Sequence, residues 1–151
     1  MTDYTEAPTE VIEIAQELIE AYHPHLKEAR IGFIFREIHK KSKGKAIMGT
    51  ARKPPAWLNV FEELDFIIEL AEDIYAALSP ERRRALIDHE LCHCGMGEQP
   101  YIKPHDIEEF TDIIERYGDW SMDIMLTRRA FQRSEQKTLE GFELEIGHEG
   151  K

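Results

Sequence analysis

The stretch Ser79-Pro80-Glu81-Arg82-Arg83-Arg84-Ala85-Leu86-Ile87-Asp88-His89-Glu90-Leu91-Cys92-His93 organises the reading of the whole chain. Ser79 is a good N-cap, Pro80 suits the first helical position, and Glu81 puts an acid in the first turn. The helix is expected to run to about Cys94, with Gly95 and Gly97 as stops. His89 and His93 are four apart, so both imidazoles project from one face toward one point. Two neutral imidazoles so placed can fill two corners of a zinc tetrahedron. Glu90 is rotated off the ligand axis, where it can take a proton from a metal-bound water. The bland alternative is a helix with two surface histidines and a charged neighbour.

A catalytic zinc site needs a third protein ligand. His105, twelve residues after His93, is the first candidate. The loop from Gly95 to Pro104 can turn the chain back and set His105 at the N-terminal edge of the next helix. Glu108, Glu109 and Asp112 on that helix are the runners-up, since carboxylates also bind zinc. Cys92 and Cys94 neighbour His93 too closely to share its metal on a regular helix, and read as small buried apolar residues. Two residues apart on a helix, they do not bridge each other, and a reducing cytoplasm is the expected setting. Asp88 reads as a hydrogen-bond acceptor for a ligand or as a plain polar helix residue. Tyr101, and behind it Tyr75 and the more remote Tyr117, are candidates to stabilise an oxyanion. Packing is the alternative role for each.

Working toward the N-terminus, Thr9 is expected to cap a first helix to about Tyr22, ended by Pro24. Ile31 to Ile38 reads as a strand, Lys40 to Lys45 as a turn around Gly44, and Ala46 to Ala51 as the returning strand of a β-hairpin. Asp65 to Leu70 is a third strand, with Glu72 to Leu78 a short helical turn behind it. Toward the C-terminus, Glu98 to Pro104 reads as loop and Asp106 to Tyr117 as a helix closed by Gly118. Asp119 is expected to cap a last helix to about Lys137. Residues 1–138 are thus expected to form one domain and residues 139–151 an acidic, flexible tail. The order of elements indicates an α+β fold, a small antiparallel or mixed sheet packed on helices.

The 151 residues are 42 % hydrophobic and 32 % charged, and carry a net charge of −11. Such acidity argues against non-specific coating of DNA or an anionic membrane. No apolar run is long enough to span a bilayer. The opening MTDYTEAPTE lacks the pattern of a secretory signal. Charge is uneven, however. Residues 25–53 hold nine Lys/Arg against Glu28 and Glu37, while the rest holds ten basic against 28 acidic side chains. Lys40, Lys41, Lys43 and Lys45 are therefore a candidate contact to nucleic acid. The competing reading is a lysine-rich turn that keeps the chain soluble, because no aromatics interleave with the lysines.

The run Leu86 to His93, followed by Pro104-His105-Asp106-Ile107-Glu108-Glu109-Phe110, resembles the putative phage metallopeptidase family. That family is similar to the SprT-like and Spartan-type zinc proteases. Its members pair HExxH with a third histidine that opens a following helix, five residues before a phenylalanine. His105 and Phe110 match that layout, and the resemblance covers about residues 9–130. Met96 and Gln99 stand where a metzincin would need Gly and His. The resemblance implies a zincin-like, minigluzincin-like fold and a zinc-dependent peptidase of a phage or prophage. It implies Zn²⁺ on His89, His93 and His105, Glu90 as general base, and a peptide or protein substrate. The rival is a catalytically silent zinc-binding module, binding or regulatory. A structural zinc usually has four protein ligands, and here no fourth is evident and Glu90 would have no role.

Overall fold

The computed structural model describes the backbone of residues 2–149 and the side chains of residues 2–138. The chain forms two compact units, divided between Pro104 and His105. No helix among the described residues is long and apolar enough to cross a membrane.

The first unit is α+β, built on a four-stranded mixed sheet. Its strands are β1 (Tyr4–Glu6), β2 (Ile31–Arg36), β5 (Gly49–Arg52) and β6 (Phe66–Ala71), in the order β1-β2-β6-β5. β2 runs parallel to β6, with Ile31 opposite Phe66 and Arg36 opposite Ala71, and the other two pairings are antiparallel. The expected hairpin between residues 31–38 and 46–51 does not form. The turn closes its own two-stranded ribbon instead, β3 (Lys40–Ser42) against β4 (Lys45–Ile47). Lys43 and Gly44 make that turn with φ of 52° and 78°, the consecutive left-handed pair of a tight hairpin. β6 then takes the place between β2 and β5. The reason is legible in FIIELA: a strand apolar on both faces is buried on both faces, and belongs at the centre of a sheet. All six of its residues are buried.

Glu69 is the polar exception within β6, 4 % exposed. Arg52 of β5 lies 3.3 Å from one carboxylate oxygen, and Lys40 of the ribbon 4.0 Å from the other. All four of these lysines, Lys40, Lys41, Lys43 and Lys45, are exposed, and Lys40 also reaches Glu69.

Two helices cover the sheet face carrying Phe66, Ile68 and Leu70. α1 (Thr9–Tyr22) buries Val11, Ala15 and Leu18, spaced at i, i+4 and i+7. Its N-cap is Pro8 rather than Thr9, and no side chain caps it. α2 (Glu72–Ala77) follows β6 directly and delivers the chain to α3 (Pro80–Cys92). Ser79 caps α3 as expected, its Oγ accepting from the Arg82 amide at 3.3 Å. Leu86, Ile87 and Leu91 face the core. The arginine run near the start of α3, unfavourable to the helix dipole by itself, is used locally. Arg83 donates to the Tyr75 and Ala76 carbonyls at 3.0 and 3.1 Å, closing the end of α2. Arg84 pairs with Glu17 of α1 at 2.7 Å.

α3 ends two residues earlier than expected. Cys94 lies in β7 (Cys94–Met96), which pairs with β8 (Pro100–Ile102), so part of the expected loop is a hairpin. In the second unit, α4 is Thr111–Tyr117, closed by Gly118 at φ 65°. Residues 106–110 are not helical, contrary to the sequence reading. Glu109 instead accepts from the Phe110 amide at 2.9 Å, the kind of local bond that competes with a helical turn. α5 is Met122–Glu149, with Ser121 rather than Asp119 at its start. Asp119 pairs with Arg128 at 2.9 Å. The helix runs past Lys137, and the expected tail lies largely outside the described side chains.

Candidate metal centre

α3 carries candidate metal ligands beside its core face. His89 is exposed, His93 is half-buried, and their rings meet edge-on with centroids 5.1 Å apart. A ring nitrogen of each lies within 4.8 Å of the other's. That is the convergence expected from i, i+4 spacing on a regular helix.

His93 is oriented by the segment that follows it. The β7–β8 hairpin carries the chain out and back, so that Lys103 returns beside it. The Lys103 amide donates to the His93 carbonyl at 2.7 Å. The His93 Nδ1 lies 2.7 Å from the Lys103 carbonyl. A carbonyl only accepts, so Nδ1 carries the proton and Nε2 is the ring nitrogen with the lone pair.

Gly95 makes this hairpin possible. A Cβ there would come within 2.4 Å of the Tyr101 ring, so the aromatic closes over bare backbone. Gly95→Ala is expected to cost about 1–3 kcal/mol of unfolding free energy by forcing that ring away. Gly97→Ala is the control, because its nearest contact would be an ordinary 3.5 Å. Urea unfolding of the two variants should separate them. Tyr101 thus has a packing role, and it is half-exposed. Tyr75 is buried, against Phe35 and under Arg83. Tyr117 is exposed on α4.

Glu90 is 3 % exposed, although it sits between two histidines that reach the surface. Its Oε1 lies against Gly49 of β5, where a Cβ would be 3.1 Å away. Its Oε2 is buried with no hydrogen-bond partner among the described residues. Burial pushes the carboxyl up to about 7, against a smaller opposing pull from His93. A carboxyl near neutrality can both take and return a proton at neutral pH. The unpartnered oxygen requires a proton, or a polar group brought in from outside. The residues therefore fit a metal with an attached proton donor: two imidazoles outside, and one unsatisfied carboxylate oxygen behind them.

The other expected residues fall into place unevenly. His105 is exposed and opens the second unit, but six residues ahead of α4 rather than at its edge. Glu108 and Glu109 precede α4, Asp112 is in its first turn, and Phe110 is its N-cap. Cys94 is buried as expected, with its thiol 3.7 Å from the Glu90 carbonyl and pushed up to about 12 by burial. Cys92 is exposed, contrary to expectation. Asp88 bonds a residue far away in sequence, the buried His23, at 2.6 Å. Sequence reading had no means of finding that partner, since His23 is merely the residue before Pro24.

A cavity of about 880 Å³ lies beside α1 and β2 and includes neither His89, Glu90 nor His93 in its wall. Nothing matches among curated proteins or solved structures. A family model described as "Putative phage metallopeptidase" matches residues 2–133. That span includes α3 and all of the first unit after Met1, and the chain belongs to the putative phage metallopeptidase family.

Proposed function

We propose that this protein is a zinc-dependent peptidase, with His89, His93 and His105 as metal ligands and Glu90 as general base. The observation that carries the reading is the Glu90 carboxyl: buried, and left with an unpartnered oxygen beside two converging imidazoles. A purely structural zinc would give that carboxyl no purpose. His105 is supported by the chain path. Lys103 is bonded to His93 through both its amide and its carbonyl. His105 follows two residues later, and two Cα steps reach at most about 7.6 Å.

Zn²⁺ held by these residues would supply a Lewis acid that polarises a peptide carbonyl and acidifies the attacking water. Glu90 accepts the proton of the attacking water and returns it to the leaving amine. Lys103 holds the His93 ring in the tautomer that offers Nε2. β5 is an edge strand of the sheet, and Gly49 on it lies against Glu90. An extended substrate can therefore add to β5 by main-chain hydrogen bonds and bring its scissile bond to the carboxylate.

Metal analysis tests the ligand set. Zinc content is expected to fall by one equivalent in His89→Ala and in His105→Ala, and to stay at the wild-type level in Glu90→Gln. Unchanged content in His105→Ala would move the third ligand to Glu108, Glu109 or Asp112. No zinc in the wild type after reconstitution would overturn the proposal.

A further inference from the structure

We propose that His23, Asp88 and Cys92 form a second metal site, for a thiophilic divalent cation such as Zn²⁺, on the face of α3 adjoining the His89–His93 pair. Each of the three offers a ligand atom, and these atoms all lie within 4.8 Å of one another. The site does not depend on His105 or on the peptidase reading, because all three residues belong to the first unit.

Asp88 and Cys92 are again an i, i+4 pair, one residue behind His89 and His93. An α-helix turns about 100° per residue, so the two pairs aim at neighbouring but separate points. His23 comes from the C-cap of α1, its amide held by the Ile19 carbonyl at 3.0 Å. It is 6 % exposed, so its position is set by packing rather than by solvent. His25 stands beside it with ring centroids 6.0 Å apart, and is tied to the Cys94 carbonyl at 3.0 Å. The imidazole is therefore presented by segments already tied together, the turn that follows α1 and the start of β7.

The donor set decides the class of ion. One nitrogen, one carboxylate oxygen and one sulfur suit zinc and similar borderline or soft cations, and do not suit magnesium or calcium. Three protein donors leave one coordination position open. Cys92 is exposed, which gives the ion a route in. In the metal-free chain a proton lies between His23 Nε2 and Asp88 Oδ1, which are 2.6 Å apart. Two ligands about 2.1 Å from a tetrahedral ion stand roughly 3.4 Å apart. Entry of the ion therefore displaces that proton and parts the pair by a small rotation of the half-exposed Asp88. The thiol proton leaves as well. A hydrogen-bonded His–Asp pair explains the contact between α1 and α3, but it does not require a thiol one helical turn beyond Asp88.

Cobalt(II) is the probe, added to the full-length reduced protein. Thiolate coordination gives a near-ultraviolet sulfur-to-cobalt charge-transfer band, which the His89–His93 site cannot produce. In the His89→Ala/His93→Ala double variant, where the other site is removed, the band is expected to saturate at one equivalent. It should persist in the His89→Ala/His93→Ala double variant and in Cys94→Ala, and disappear in Cys92→Ser. Asp88→Asn should weaken the cobalt affinity that the band reports by about tenfold or more. Circular dichroism of Cys92→Ser, a substitution at an exposed position, confirms that the fold is intact. A wild-type protein that takes up cobalt without the band overturns the proposal, as does a band that survives Cys92→Ser. Loss of zinc binding at His89 and His93 with retention of the band would sink the peptidase site alone.

Discussion

Glu90→Gln is expected to cut peptide hydrolysis by about 10²- to 10⁴-fold at unchanged metal content. The amide matches the carboxylate in size, so the packing against Gly49 and the sheet is kept. It cannot accept a proton, so the attacking water loses its base. The loss should appear in kcat more than in KM, because a proton transferred in the transition state contributes nothing to ground-state binding. A set of fluorogenic peptides and a zinc determination on the same preparation check both halves. Equal activity in variant and wild type would remove Glu90 from the chemistry. Loss of zinc together with activity would make it a ligand instead.

The same substitution has an opposite effect on the stability of the metal-free protein. In the folded chain the Glu90 carboxyl is held at about 7, against 4.5 in the unfolded chain, and desolvation is the main cause. The folded state therefore binds this proton more tightly. Its contribution to stability is fully present below about 4.5 and is lost as pH rises through 7. A rise from 4.5 to about 7 corresponds to about 3 kcal/mol. Glutamine does not titrate. After chelation, wild type and Glu90→Gln should unfold at similar denaturant concentrations at pH 4. At pH 8 the variant should be the more stable by about 3 kcal/mol. Denaturant titrations at the two pH values decide it, and a gap independent of pH would show that the carboxyl is not desolvated in solution. A residue that destabilises its own fold is a common mark of a functional position.

Much of the site was legible because its logic is local. Ser79, Pro80 and Glu81 announce the start of α3, and the i, i+4 spacing of His89 and His93 places both rings on one side of it. The third histidine proposed here, His105, is chosen by type and spacing, although the helix expected to begin beside it starts only at Thr111. There, the bond from Glu109 to the Phe110 amide replaced a helical turn that the acidic sequence suggested. The exposure of Cys92 is not legible in the sequence for a related reason. Helical spacing gives the direction of a side chain relative to its neighbours, but not which direction the rest of the fold covers.

The strands show the same division. Each of the residue ranges 31–38, 46–51 and 65–70 was recognisable as extended from its own composition. Their pairing was not, because the obvious turn at Lys43-Gly44 serves a separate ribbon and β6 inserts between the other two.

By itself, then, the sequence determined the longer helices and the central strands, the cap of α3 and the order of His89, Glu90 and His93 along it. These depend on spacings of a few residues and on backbone preferences that act within one turn. Only the tertiary structure decided that β5 would lie against Glu90, that its carboxyl would be buried, and that His23 would meet Asp88 across 65 residues. Those contacts follow from which apolar faces pack together, a choice made by the whole chain at once. They set the proton affinity of Glu90 and the metal chemistry available to α3.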